Sequence, residues 1–270
     1  MKVTVFGAKG FIGAHLVNYL RAQGRRCDAI NRGQAPGDAA LGHVIWCAGV
    51  TADFRQRPFD TVAAHVSDVI PWLQAGRFDS FVYVSSTRVY QRSVHGAEDA
   101  VLSVATQAPD DLYNVSKLMG ESLCLSSGRP GVRVARLSNV YGLDQASDNF
   151  LTRVIRSALM GRLKMGTAPA SAKDYVCLDE VVETLVAIAF EGALPIYNVA
   201  TGINVSHQEI ADTLVRATGC EVSWADDAPL VSFPRISTQR LHDTFGRVPA
   251  RRLLDDLPGL VSRFALTSPA

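Results

Sequence analysis

Tyr113 and Lys117 stand four residues apart in the segment Tyr113-Asn114-Val115-Ser116-Lys117. On a helix that spacing puts both side chains on one face. A lysine ammonium beside a phenol favours the phenolate and lowers its pKa from about 10 towards working pH. A tyrosine tuned in this way can act as general acid or base on a hydroxyl or carbonyl. The same pair could equally be a surface contact of a helix. A second feature is the hydroxyl run Ser85-Ser86-Thr87, directly after the apolar stretch Phe81-Val82-Tyr83-Val84. Hydroxyls just past a strand end sit where α/β sheets bind ligands, although turns use the same residues.

The third feature is the opening, MKVTVFGAKGFIGAHLVNYL, with Gly7, Gly10 and Gly13 spaced by three. In a strand–turn–helix, Gly7 permits a tight turn and Gly10 lets the backbone approach a phosphate. Gly13 lets the helix pack closely on the sheet, and the helix start presents free N–H groups to an anion. The spacing is GxxGxxG rather than the usual GxGxxG, and by itself it also fits an ordinary βα turn.

These residues need strands and helices to hold them. Residues 3–6, 26–31, 43–49, 81–85, 132–137 and 196–199 read as strands, and 173–178 is strand-like. Helical spacing predicts helices after Gly10 and over 58–75, 113–126, 150–160 and 181–190. A further helix is capped by Ser206 with Glu209 in the capping-box position, and two more fill 238–245 and 253–264. Alternating strand and helix signals imply a parallel, doubly wound sheet. Residues 32–42 are too short for a helix, a strand and a second helix, so one strand/helix unit is shortened after the second strand. The polar stretch 91–110 is too long to be idle in a compact domain.

Composition narrows the function. With 27 Lys+Arg against 26 Asp+Glu, the net charge of +1 offers no footprint for nucleic acid or an anionic membrane. The five cysteines lie far apart without metal-ligand spacing, which reads as reduced thiols and no metal site. No uncharged stretch approaches a membrane span, and the opening lacks the pattern of a signal peptide; a cytoplasmic protein is expected.

Taken together and in order, the motifs resemble the extended short-chain dehydrogenase/reductase family, of the NAD-dependent epimerase/dehydratase type that acts mainly on nucleotide sugars. The matches are Gly7-Ala8-Lys9-Gly10-Phe11-Ile12-Gly13, Val84-Ser85-Ser86 with Val89-Tyr90, and Pro109 ahead of Tyr113. They continue with Tyr113 and Lys117 followed by Gly120-Glu121, and Arg136 with Asn139-Val140-Tyr141-Gly142. Last come Lys173-Asp174-Tyr175-Val176 with Asp179-Glu180-Val181, and Tyr197-Asn198-Val199-Ala200-Thr201-Gly202.

The resemblance implies an α/β fold, a doubly wound parallel Rossmann sheet with a smaller mixed α/β C-terminal substrate-binding region. Residues 1–140 and 173–200 would bind the dinucleotide, and 141–172 with 201–270 the substrate. It implies Tyr113 as acid/base, Lys117 as its partner and a holder of the nicotinamide ribose, and Ser86 as donor to the reacting oxygen. Gly7, Lys9, Gly10, Phe11, Ile12, Gly13, Asn31, Arg32, Cys47, Ala48, Gly49 and Val84 fall on the cofactor side. Ser86, Thr87, Arg88, Asn139, Lys173 and Arg235 fall on the substrate side, with Lys173 where the family often has an arginine on the nucleotide diphosphate.

Three departures shape the expectation. The family's dehydratases carry an acidic pair where this chain has Thr87-Arg88, which argues against dehydration. The family's third strand is missing. The second strand ends in Asn31-Arg32 instead of an acidic residue, and with Lys9 in the glycine turn this suits a 2′-phosphate. The expected function is NADP-preferring reduction of a nucleotide-linked keto sugar. An NAD-dependent epimerase, a non-catalytic nucleotide-binding member of the fold, and a small aldehyde, ketone or lipid substrate remain alternatives. A homodimer is expected, through the two long helices around Val66 and Leu118.

Overall fold

The structure, a computed structural model, describes residues 1–30, 33–35, 37–143 and 149–267. Six strands form a parallel sheet: β1 (Lys2–Phe6), β2 (Arg26–Ile30), β3 (Ala40–Trp46), β4 (Arg77–Ser86), β5 (Val132–Leu137) and one later strand, Ile196–Val199. Their order is β2-β1-β3-β4-β5 followed by that last strand. After β2 the chain returns across β1 to β3 with no strand between them among the described residues, the shortened unit that the sequence implies.

Alternation along each strand sends successive side chains to opposite faces, and both faces are covered. Val3, Val5, Ile45, Val82, Val84, Ala135 and Leu137 meet Leu16, Val17 and Leu20 of α1 (Phe11–Ala22) and Val181, Val182 and Leu185 of α6 (Leu178–Glu191). Phe6, Val44, Trp46, Phe81, Tyr83 and Val134 point the other way, onto Trp72, Leu73 and Cys124. Between those helices lie α2 (Pro58–His65), α3 (Ile70–Ala75), α4 (Asp111–Ser126) and α5 (Phe150–Leu159).

The continuous helix expected over 58–75 is broken. α2 stops at His65, Val66 leaves helical geometry (φ −128, ψ −64), and a 3₁₀ turn over Ser67–Val69 leads into α3. Pro71, in the first turn of α3, lacks the N–H that a continuous helix would require, so the chain restarts there. The break frees the His65 carbonyl, which accepts the Tyr83 hydroxyl at 2.9 Å.

The remaining elements build a second packed layer. β6 (Asn139–Tyr141), β8 (Ala172–Cys177) and β10 (Asn204–Ser206) form a three-stranded sheet; β7 (Arg162–Met165) pairs in parallel with β11 (Glu221–Trp224). The last strand of the main sheet is β9. Ile155, Leu163, Met165, Ile210, Leu214, Leu257 and Phe264 form the core that joins these strands to α5, α7 (His207–Thr218) and α9 (Leu253–Thr267), while α8 (Gln239–Phe245) packs near β9. Ser206 and Glu209 make the expected capping box at the start of α7. Among the described residues no helix is long and apolar enough to cross a membrane.

Candidate active site

The carboxyl ends of β1, β3 and β4 converge on one crevice, at the point where strand order reverses between β1 and its neighbours. The β1–α1 turn is closed by the Gly10 N–H donating to the Gly7 carbonyl at 2.9 Å. Gly7 has φ +73, and a Cβ there would lie 2.7 Å from the Ala48 nitrogen and 2.8 Å from the Cys47 carbonyl carbon. A Cβ on Gly13 would lie 2.2 Å from the Gly7 carbonyl oxygen. The turn therefore requires glycine at both ends. Phe11 and Ile12 pack their side chains partly onto the core, and no side chain caps α1. Beyond the Gly7 carbonyl, Gly10 faces open space. An uncapped helix start behind an open glycine cradle fits the pyrophosphate of a dinucleotide. Lys9 is exposed at its rim; Asn31 and Arg32 lie outside the described residues.

The crevice continues to Gly49, where an added Cβ would sit 3.1 Å from His65 Nε2 and 3.4 Å from Lys117 Nζ. Lys117 is buried and donates to the Val84 carbonyl at 3.0 Å. Burial lowers its amine to about 8, against the opposing pull of Glu121. The Cys47 thiol is raised to about 12 by burial and faces the same ammonium. Cys47, Ala48, Gly49, Val84 and Lys117 thus surround one wall of the crevice, next to the glycine turn.

Tyr113 is buried one turn before Lys117 on α4, beside His65. Burial raises its phenol above the usual range, against the smaller opposing influence of nearby Ser86 and the Arg88 charge. Ser86 closes β4, and its Oγ accepts the Arg88 backbone N–H at 3.2 Å. Thr87 is buried in the same turn. The Arg88 guanidinium carbon lies 5.6 Å from the Tyr113 ring centre and 5.3 Å from that of Phe54. Arg88, rather than Lys117, is thus the cation set against the phenol; Lys117 lies over the Tyr83 ring at 5.2 Å.

His65 was not legible as a site residue. The Val50 N–H donates to its Nε2 at 3.3 Å, so Nδ1 carries the proton and donates to Ser116 Oγ at 2.8 Å. Ser116 in turn donates to the Tyr113 carbonyl at 3.0 Å. Burial and the Lys117 charge hold His65 neutral, its pKa near 2. Its ring also meets Tyr113 edge-on at 5.3 Å. The only trace of this in the sequence is one polar residue at the end of an apolar helical stripe.

Several family motifs serve the frame beneath. Arg136 Nη2 pairs with Glu121 Oε2 at 2.7 Å, with both side chains 4% exposed, and Ser85 donates to Glu121. Arg136 Nη1 donates to the Tyr90 hydroxyl at 2.6 Å, which donates to Asn198 Oδ1 at 2.9 Å. Asp174 accepts Ser138 Oγ, Thr201 Oγ1 and the Ile203 N–H, tying β8 to the loop after β9. Asp111, at the start of α4, accepts Arg92 Nε and the Ala105 N–H, which anchors the 91–110 segment.

Of the substrate-side residues, Lys173 sits 5.9 Å from the Phe150 ring centre and 5.7 Å from that of Phe233. Burial, Arg88 and Arg153 lower its amine to about 8. Asn139 Nδ2 donates to the Asp174 carbonyl at 2.8 Å. Arg235 Nε donates to the Gly202 carbonyl at 2.8 Å and lines a cleft of about 540 Å³ with Gly96, Thr201 and Gln239; Ser86, Tyr113 and Lys117 do not line it. Lys173 thus feels the Arg88 and Arg153 charges, while Arg235 lines a separate cleft.

The sequence profile of the NAD dependent epimerase/dehydratase family matches residues 3–200. GDP-6-deoxy-D-mannose reductase of Pseudomonas aeruginosa is 27% identical over 300 residues, covering 97% of this chain and 96% of that protein. dTDP-glucose 4,6-dehydratase of Streptomyces griseus is 29% identical over 68% of this chain, a match spanning 58% of the dehydratase's own length. The solved structure of RMD from Pseudomonas aeruginosa complexed with NADPH superposes with a TM-score of 0.78 at 25% identity, over 97% of this chain and 98% of that one. With the crevice, the glycine turn and the family profile in agreement over most of its length, the chain belongs to the NAD dependent epimerase/dehydratase family.

Proposed function

We propose that this NAD(P)-dependent enzyme is a reductase of a nucleotide-linked keto sugar and that it prefers NADPH. The observation carrying the reading is the placement of Ser86, in the turn after β4, and of the Arg88 guanidinium 5.6 Å from the Tyr113 ring centre, with Arg88 where a dehydratase needs a carboxylate. The glycine turn, Cys47–Gly49, Val84 and Lys117 are assigned to the dinucleotide. A bound reduced nicotinamide supplies the hydride. Tyr113 gives its phenolic proton to the carbonyl oxygen, and Ser86 donates a hydrogen bond to that oxygen as negative charge develops. Lys117, its amine lowered to about 8 by burial, is assigned to the nicotinamide ribose, and Arg88 is the cation that favours an anion on Tyr113. Residues 1–140 and 173–200 are assigned to the cofactor, and 141–172 with 201–270 to the sugar nucleotide.

The cofactor preference rests on Arg32 and Lys9, both cations, with no carboxylate between Asp28 and Asp38. kcat/KM with NADPH is expected to exceed that with NADH, and Arg32→Ala to shrink the ratio about tenfold, roughly 1.4 kcal/mol. Tightly held, non-exchanging NAD with no response to NADPH would instead point to an epimerase.

Lys173 is assigned to the substrate diphosphate. Lys173→Ala is expected to raise KM for the nucleotide sugar about 10- to 100-fold, the worth of one charge-assisted hydrogen bond of about 1.5–3 kcal/mol, and to leave the cofactor Kd alone. Because the free amine titrates near 8, only the ammonium below that pH can hold the diphosphate. Wild-type KM should therefore rise as pH passes above 8, and the rise should vanish in Lys173→Ala. A change confined to the cofactor Kd defeats the assignment.

α2 and α4 pack together and both leave apolar side chains exposed: Phe59 at 89% and Val62 on α2, Met119 at 53% and Leu125 on α4. Val66 and Leu118 themselves face inward to different degrees, so a dimer through these helices would use the exposed four. Light scattering should give a mass near twice 29.1 kDa.

A further inference from the structure

His65 uses both ring nitrogens to join two parts of the chain that the site needs in register. The Val50 N–H donates to Nε2 at 3.3 Å, and Nδ1 donates to Ser116 Oγ at 2.8 Å. Ser116 carries the run on to the Tyr113 carbonyl at 3.0 Å. One unbroken series of donors and acceptors thus ties the loop after β3 to the turn of α4 that holds Tyr113. The ring is fully buried, and its own backbone is gripped as well. The His65 carbonyl accepts the Tyr83 hydroxyl, and a Cβ on Gly120 would lie 2.5 Å from that carbonyl oxygen. α4 therefore passes directly over the end of α2 and leaves the imidazole little room to shift.

Packing alone does not call for an imidazole here. Phenylalanine would fill a similar space, but only a neutral imidazole offers an acceptor and a donor on opposite sides of one flat ring. Burial and the Lys117 charge keep the ring neutral, so Nε2 remains an acceptor. The loop it holds borders Lys117: an added Cβ on Gly49 would meet His65 Nε2 at 3.1 Å and Lys117 Nζ at 3.4 Å. We propose that His65 is a positioning residue for the nicotinamide half of the cofactor, holding the loop 47–50 in register with Tyr113 and Lys117 on α4. This rests on the cofactor assignments above and adds the element that keeps them aligned.

The test uses cofactor binding and needs no sugar. The whole protein is titrated with NADPH and NADH, followed by nicotinamide fluorescence. Calorimetry gives the affinity for adenosine 2′,5′-bisphosphate and ADP, the matching fragments that lack the nicotinamide half. Three variants separate the two bonds. His65→Phe keeps the ring shape and neither bond, His65→Gln keeps an acceptor near Nε2 for Val50, and His65→Asn keeps a donor near Nδ1 for Ser116 alone. His65→Phe is expected to weaken the preferred dinucleotide about 10-fold, while the matching fragment binds as in wild type. His65→Gln should recover most of that loss and His65→Asn little of it. An equal loss on dinucleotide and fragment, or no loss on either, would overturn the proposal. So would equal behaviour of the Gln and Asn variants, a comparison that decides the matter even where His65→Phe does not fold. Failure of wild type to bind either dinucleotide would overturn the cofactor reading itself, and this proposal with it.

Discussion

Replacing Tyr113 with phenylalanine is expected to lower kcat by about 10²–10⁴ while cofactor affinity stays near wild type. The substitution removes one oxygen and keeps the ring, which packs with Val50, Phe54 and Ala64 and meets His65 edge-on. Stability should therefore change little. What is lost is the proton that the carbonyl oxygen must receive, a loss equivalent to about 3–5 kcal/mol of barrier. Ser86→Ala should be milder in the same assay, since the phenol remains and only one donor to the oxygen disappears. Stopped-flow hydride transfer with bound NADPH separates the chemical step from product release. If Tyr113→Phe retains most of the wild-type rate, another group supplies the proton and the acid/base assignment is wrong.

The second large effect falls on folding. Glu121→Ala should destabilise the protein by about 3–5 kcal/mol in urea or thermal denaturation, because it strands a buried guanidinium. Arg136 would keep the Tyr90 hydroxyl and the Glu98 carbonyl as neutral partners but lose every carboxylate contact now made by Nε and Nη2. A domain is typically stable by only about 5–15 kcal/mol, so the loss would be severe. Removing both charges together, as Glu121→Leu with Arg136→Met, should cost less than Glu121→Ala alone, since no unpaired charge remains. A loss below about 1 kcal/mol for Glu121→Ala would mean that water reaches the pair.

The sheet could be read from the sequence because its strands are buried on both faces, and apolar runs such as Val82-Tyr83-Val84 allow few other arrangements. The shortened unit after β2 was legible for a simpler reason, since a chain length sets what it can span. The break at His65 was not, because the apolar periodicity of Val62, Val66 and Val69 continues through it while Pro71 acts on the backbone alone. β7 and β11 escaped notice as four-residue strands in polar surroundings, Arg162-Leu163-Lys164-Met165 and Glu221-Val222-Ser223-Trp224. Within the site, residue type and spacing single out Ser86, Tyr113 and Lys117, and the family resemblance supplies the roles proposed for them. The closeness of Arg88 to Tyr113 depends on how a 3₁₀ turn after β4 aims one side chain, which spacing does not encode. His65 depends on a contact between two helices distant in the chain.

The missing unit also gives β2 an unusual duty. Among the described residues no strand lies beyond it, so one row of its backbone N–H and C=O groups is open to any other strand that approaches. Such a border invites sheets of separate molecules to merge. Here it runs for only five residues, it exposes Arg26, and its Asp28 is paired with Lys2 at 2.8 Å. A short, charged border is a poor template for an added strand. Charge at the margin of the sheet thus guards against edge-to-edge pairing of sheets, a task that in a longer sheet would pass to the next strand out.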